Sequence, residues 1–134
     1  MDFIFFLGRF HVLVVHLPIG IIVVLFVVEW LARKPKYAHL EAASPLLWGA
    51  AAISALLTVI LGYMHFAEGA FTGSEVAQHR NFGTIVAVLV TGVALLRTSK
   101  CASSYKPVFF PAAALALLLV GIAGHFGGTL THGS

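Results

Sequence analysis

The sequence predicts an all-α membrane protein: four transmembrane helices in an antiparallel up-down bundle, with both termini on the outer side of the membrane. Three observations lead there. Of 134 residues, 60% are hydrophobic and only 10% charged, which is more apolar than the core of a soluble domain of this size requires. Four stretches approach the roughly 20 apolar residues that cross a hydrocarbon core. The lysines and arginines gather in two of the connections between them.

The elements follow in order. Residues 1–8 are apolar apart from Asp2, and Gly8 separates them from the first span, so they are expected along the outer interface. The first span is His11–Ala32; its apolar run is too long for a cleavable signal peptide and no small-residue cleavage site follows, so it is expected to stay as an anchor. Pro35 and Pro45 bracket the next connection, and the second span is Pro45–Phe66. The connection Glu68–Gln78, with Gly69, Gly73, Ser74 and two acids, reads as an ordered loop or short surface turn. The third span, His79–Arg97, has a polar first turn (His79, Arg80, Asn81) that needs partners inside the protein or at the headgroups. Pro107 precedes the fourth span, Val108–Phe126, where proline suits a first turn. No repeat or soluble domain is evident, so residues 1–134 form one domain, and the short connections favour up-down topology.

The formal charge is +3, but placement matters more. Arg33, Lys34 and Lys36 follow the first span and Arg97, Lys100 and Lys106 lie between the third and fourth, against only Arg9 and Arg80 on the other side. The positive-inside rule makes those two connections cytoplasmic and turns the termini outward, to the periplasm of a Gram-negative cell. Glu29 and Arg33 stand at helical spacing and could pair, and a plain structural role is expected for Glu29. Trp30, Trp48, Tyr37 and Tyr105 fall near the cytoplasmic interface and read as anchors. One cysteine, Cys101, excludes an internal disulfide, and without a CxxCH any haem is held by coordination and packing alone. No nucleophile with its base, phosphate loop or nucleic-acid surface is present, so no catalytic residue is assigned.

Seven histidines in so apolar a chain carry the functional reading. His11, His16, His65, His79, His125 and His132 belong to the outer side; only His39 is cytoplasmic. Polar groups at membrane depth are expensive and are functional candidates by default. His16, His79 and His125 fall within about one turn of common depth. Each has a glycine four residues away on the membrane side, Gly20, Gly83 and Gly121, where bare backbone leaves room for a flat macrocycle. Glycines that merely let helices approach are the plain alternative. His65 has Leu61 at the matching position and ranks lower. Imidazoles without thiolates or a carboxylate cluster admit haem iron, copper or zinc, and an apolar bundle suits b-type haem, one or two groups, because the porphyrin supplies four equatorial nitrogens. The first and third helices are diagonal, which makes His16 with His79 the expected axial pair. His125 then lines the pocket, binds a propionate or quinone, or ligates a second haem with His11 or His132.

The segments FHVLVVHLPIG (Phe10–Gly20), HRNFG (His79–Gly83) and GHFGGTLTHG (Gly124–Gly133) resemble the signature segments of a bacterial membrane family of unknown function, the domain-of-unknown-function 2231-like family. That domain is found beside or fused to planctomycete-type c-type cytochrome domains. The likeness covers nearly the whole chain. It implies a redox setting, a multi-pass protein of the bacterial inner membrane, and His11, His16, His79, His125 and His132 as matched positions; His65 lies outside the pattern. The sequence reads to THGS without a cytochrome motif, so the electron partner is expected to be another polypeptide.

The expected function is an electron-transfer subunit of a redox complex rather than a stand-alone enzyme: a b-type haem near the outer face exchanging electrons with a c-type cytochrome, with quinol as a further partner. Copper or zinc handling, or a structural role in a respiratory complex, are the competing classes. Lipid is the surrounding partner, and no nucleic-acid partner is expected.

Overall fold

A computed structural model describes residues 3–67 and 72–132, without the side chains of Phe5, Thr131 and His132. The described residues are helical, in the order α1 (Phe3–Gly8), α2 (His11–Val14), α3 (His16–Ala32), a 3-10 segment (Pro35–Ala43), α4 (Ser44–Phe66), α5 (Ser74–Thr98) and α6 (Lys106–His132). Four helical stretches are long and apolar enough to span a membrane: Phe6–Ala32, Pro35–Phe66, Ser74–Thr98 and Lys106–Leu130.

The break between α2 and α3 has a local cause. Pro18 has no amide to give the carbonyl of Val14, and its ring crowds that carbonyl, so α2 stops at Val14 and α3 restarts at His16. Helix α1 folds onto the end of α4. Gly8 makes that contact possible, since a Cβ there would lie 2.6 Å from the backbone nitrogen of His65. Gly73, at φ +120°, turns the chain into α5 in a conformation that a side chain would disfavour.

The four long helices pack in a ring, α3 on α4, α4 on α5, α5 on α6 and α6 on α3, so α3 and α5 are diagonal, as expected. Their core is made of small residues. Ala51, Ala52 and Ala55 of α4 meet Ala87 and Ala94 of α5 and Ala112, Ala113 and Ala116 of α6, with Ile22, Leu25, Trp48, Val90 and Phe109 filling the larger gaps. In lipid, helices associate through close van der Waals packing rather than hydrophobic expulsion, and small side chains let the backbones approach. On α3 the buried positions Pro18, Ile22, Leu25 and Glu29 follow the i, i+4, i+7 stripe that faces a core.

Several expectations change. Helix α5 begins at Ser74 rather than His79 and α6 runs to His132 rather than Phe126. Polar first turns such as Ser74–Asn81 do not register in hydropathy, yet Glu75 in the first turn suits a helix start. The segment Ser74–Gln78 is therefore helix, not loop. Glu29 does not pair with Arg33. Its carboxylate accepts from the Ser44 hydroxyl and from Trp48 Nε1 at 3.0 Å, while the Arg33 guanidinium lies 4.5 Å over the Phe110 ring. Trp48 is no interfacial anchor; it is fully buried because its indole N–H has found that carboxylate. Arg97 completes this end of the bundle, donating from Nε to the Ser44 hydroxyl at 2.9 Å and lying 3.5 Å from Glu41, which also takes Lys106 Nζ at 2.6 Å.

Candidate functional site

The histidines occupy the opposite end of the bundle from the Glu29 network. The structure brings His11, of α2, against His79, of α5: their ring centroids are 6.0 Å apart and the planes stand at 82°. Both are half-buried. His65 stands three residues after Gly62 on α4, the glycine whose position His11 packs against.

The two imidazoles are held in the same way. His11 Nδ1 lies 2.8 Å from the carbonyl oxygen of Thr58 on α4, and His79 Nδ1 lies 2.8 Å from the carbonyl oxygen of Ala123 on α6. A carbonyl can only accept, so Nδ1 carries the proton in each ring and Nε2 of the neutral imidazole keeps its lone pair. This is the arrangement that fixes tautomer and orientation in metal-ligating histidines.

Why those carbonyls are reachable follows from helix geometry. Side chains in an α-helix lean toward its N-terminus, so residue i+4 covers the carbonyl of residue i. Gly62 stands four residues after Thr58, and Gly127 four after Ala123. A Cβ at Gly62 would lie 3.0 Å from His11 Nδ1; one at Gly127 would lie 3.0 Å from His79 Cε1 and 3.1 Å from its Nδ1. Each imidazole therefore sits on bare backbone of the next membrane-spanning stretch in the chain. No repeat is visible in the sequence, yet the α2–α4 and α5–α6 pairs build one half-site twice.

The other expected residues stand elsewhere. His16 is exposed, with Nδ1 3.2 Å from the carbonyl of Val12 in its own chain segment. His125 is exposed beside Phe126. Among the described residues no ring contact or hydrogen bond joins either of them to His79; the imidazole that His79 meets is that of His11. Added Cβ atoms at Gly20, Gly83 and Gly121 would meet nothing within 4 Å; these glycines are not the ones pressed against imidazoles. The side chain of His132 lies outside the described residues. Gly62 and Gly127 give no signal when each histidine is compared only with glycines of its own helix, and by that comparison His65, with Leu61 at the matching position, ranks lower.

These features define a class: a polytopic four-helix membrane protein whose diagonal helices present two imidazoles to each other near one end. Comparison with family models then places it. The chain belongs to the DUF2231 family of predicted membrane proteins, whose model matches residues 9–133. That span contains every histidine of the cluster. No curated protein and no solved structure matched.

Proposed function

We propose that this protein is a membrane electron-transfer subunit that binds b-type haem between His11 and His79, near the periplasmic face of a bacterial inner membrane. The carrying observation is the His11–His79 pair, 6.0 Å between centroids, with both Nδ1 atoms bound to backbone carbonyls. If the Nε2 atoms of His11 and His79 both held one metal at about 2 Å, with each ring centre roughly an ångström beyond its nitrogen, the centroids would lie up to about 6 Å apart. The centroid separation of the pair is of that size, which supports the reading.

Zinc sites in proteins use three or four side-chain donors. Among the described residues, no group of three or more His, Cys, Asp or Glu is arranged to hold an ion. Two imidazoles from diagonal helices answer instead to a metal whose remaining ligands come from a macrocycle. The haem would supply one-electron transfer at its iron. The chain supplies two neutral nitrogens of fixed tautomer, an apolar surrounding, and glycine surfaces at Gly62 and Gly127 against which the rings rest. His65 is a third imidazole beside the pair, placed to hold a proton or a polar edge of the ligand. A second haem on His125 with His11 or His132 has no comparable geometry behind it among the described residues, where His125 is exposed and meets Phe126.

A site near one face does not carry electrons across the bilayer, so the reading includes a partner outside the membrane, a c-type cytochrome, with quinol as the second. The test is an absorption spectrum with metal analysis on protein purified from cells supplied with haem. A sharp low-spin b-type spectrum, converted to high spin or lost in His11→Ala and in His79→Ala but kept in His39→Ala, is the expected result. Absence of haem in protein purified with its native partners, or stoichiometric copper or zinc in its place, overturns the reading.

A further inference from the structure

The basic end of the bundle holds more positive charge than its own carboxylates neutralise. Among the described residues, Arg97 and Lys106 share Glu41, while Arg33, Lys34, Lys36 and Lys100 have no carboxylate within ion-pair distance. All four are exposed. Three of them are held over aromatic faces: Arg33 at 4.5 Å over Phe110 of α6, Lys34 at 4.3 Å over Trp30 and Lys36 at 5.3 Å over Tyr37. Stacking on a ring orients a cation without consuming its charge. Arg33 closes α3 and Phe110 lies in the second turn of α6, so the Arg33–Phe110 contact bridges the seam between the first and last membrane helices, with Lys34 and Lys36 following it in the chain. Beneath it α3 leaves Val23, Val24, Val27 and Trp30 exposed to lipid.

We infer that this seam is a binding site for an anionic phospholipid, its phosphates taken by Arg33, Lys34 and Lys36 and its acyl chains lying along the exposed valines of α3. A headgroup with two phosphates matches three clustered cations better than one does. Basic clusters just outside membrane helices attract anionic lipid with about 1 kcal/mol per residue, roughly fivefold in affinity for each cation.

The full chain, delipidated in detergent, is titrated with cardiolipin, with phosphatidylcholine and with inorganic pyrophosphate, and bound lipid is counted by native mass spectrometry. Cardiolipin is expected to saturate at one molecule per chain, with no comparable binding of the other two. The Arg33→Gln, Lys34→Gln double variant should weaken it roughly 25-fold, and Lys106→Gln, whose cation is already paired, should not. Should the double variant fail to fold, Lys36→Gln, in the exposed 3-10 segment, carries the same test at roughly fivefold. Equal binding of phosphatidylcholine or pyrophosphate, unchanged affinity in these variants, or an equal loss in Lys106→Gln overturns the site.

Discussion

Alanine at Gly62 or Gly127 separates the proposed haem site from the fold. The new Cβ would meet His11 Nδ1 at 3.0 Å and Cε1 at 3.1 Å, or His79 Cε1 and Nδ1 at 3.0 and 3.1 Å. Carbon contacts prefer about 3.5–4.0 Å, so each ring must retreat by roughly half an ångström. The methyl group also comes to lie over the Thr58 or Ala123 carbonyl. Stretching that 2.8 Å hydrogen bond costs about 0.5–1.5 kcal/mol, and residual crowding brings the loss to about 1–2 kcal/mol. That corresponds to a roughly five- to thirtyfold rise in haem dissociation constant. The helices themselves should not suffer, since alanine is the better helix former by about 1 kcal/mol. The assay is haem titration into apo-protein in detergent, followed by absorption, with helix content from circular dichroism. Gly20→Ala and Gly121→Ala, which meet nothing within 4 Å, should bind haem as the unmodified chain does. Full affinity in Gly62→Ala and Gly127→Ala, with loss in Gly20→Ala or Gly121→Ala, would refute the His11–His79 site in favour of the His16–Gly20 arrangement.

Three further outcomes follow from the architecture. A reporter fused after Ser134 should be active outside the cytoplasm and one inserted within Lys34–His39 should report cytoplasm; the reverse pattern would invert the topology. Glu29→Ala leaves the buried Ser44 hydroxyl and Trp48 indole without their acceptor and should lower stability by about 1.5–3 kcal/mol, read as an earlier thermal unfolding in detergent; Glu29→Gln, which keeps an acceptor, should lose less. Gly8→Ala places a methyl 2.6 Å from the His65 backbone, which cannot swing aside as a side chain can, so α1 should detach and become sensitive to protease while the four long helices stay protected.

The spans were legible because hydropathy is additive along a chain: four apolar runs and two basic connections are enough to set helix number and neighbours. Helix ends were less so. Ser74–Asn81 and the Gly127–Thr131 stretch look unlike membrane helix by composition, and they are helical because the His79 to Ala123 hydrogen bond and the packing of α5 on α6 hold them there. The Glu29–Arg33 pair does not form, for a related reason. Spacing of four places two side chains on one helix face, but Glu29 belongs to the buried stripe with Ile22 and Leu25, and a buried carboxylate takes donors from the neighbouring helix before it reaches for an exposed guanidinium.

The site was half legible. Histidines in an apolar chain stand out, and His11 and His79 were both candidates, on the diagonal helices that do face each other. What the sequence does not display is the acceptor that orients them, since a backbone carbonyl belongs to every residue alike. The visible trace of such an acceptor is the glycine that uncovers it, and that glycine lies four residues beyond the carbonyl on a different helix from the histidine. In an up-down bundle the partner of a histidine near the start of one helix is therefore sought near the end of the next: Gly62 in LGYMH for His11, Gly127 in GHFGG for His79. The same reasoning explains the open surroundings of Gly20 and Gly121. A glycine one turn below its own histidine bares a carbonyl on that histidine's helix, which another chain segment must approach for the bareness to be used, and in this bundle those positions face outward, away from the three other helices.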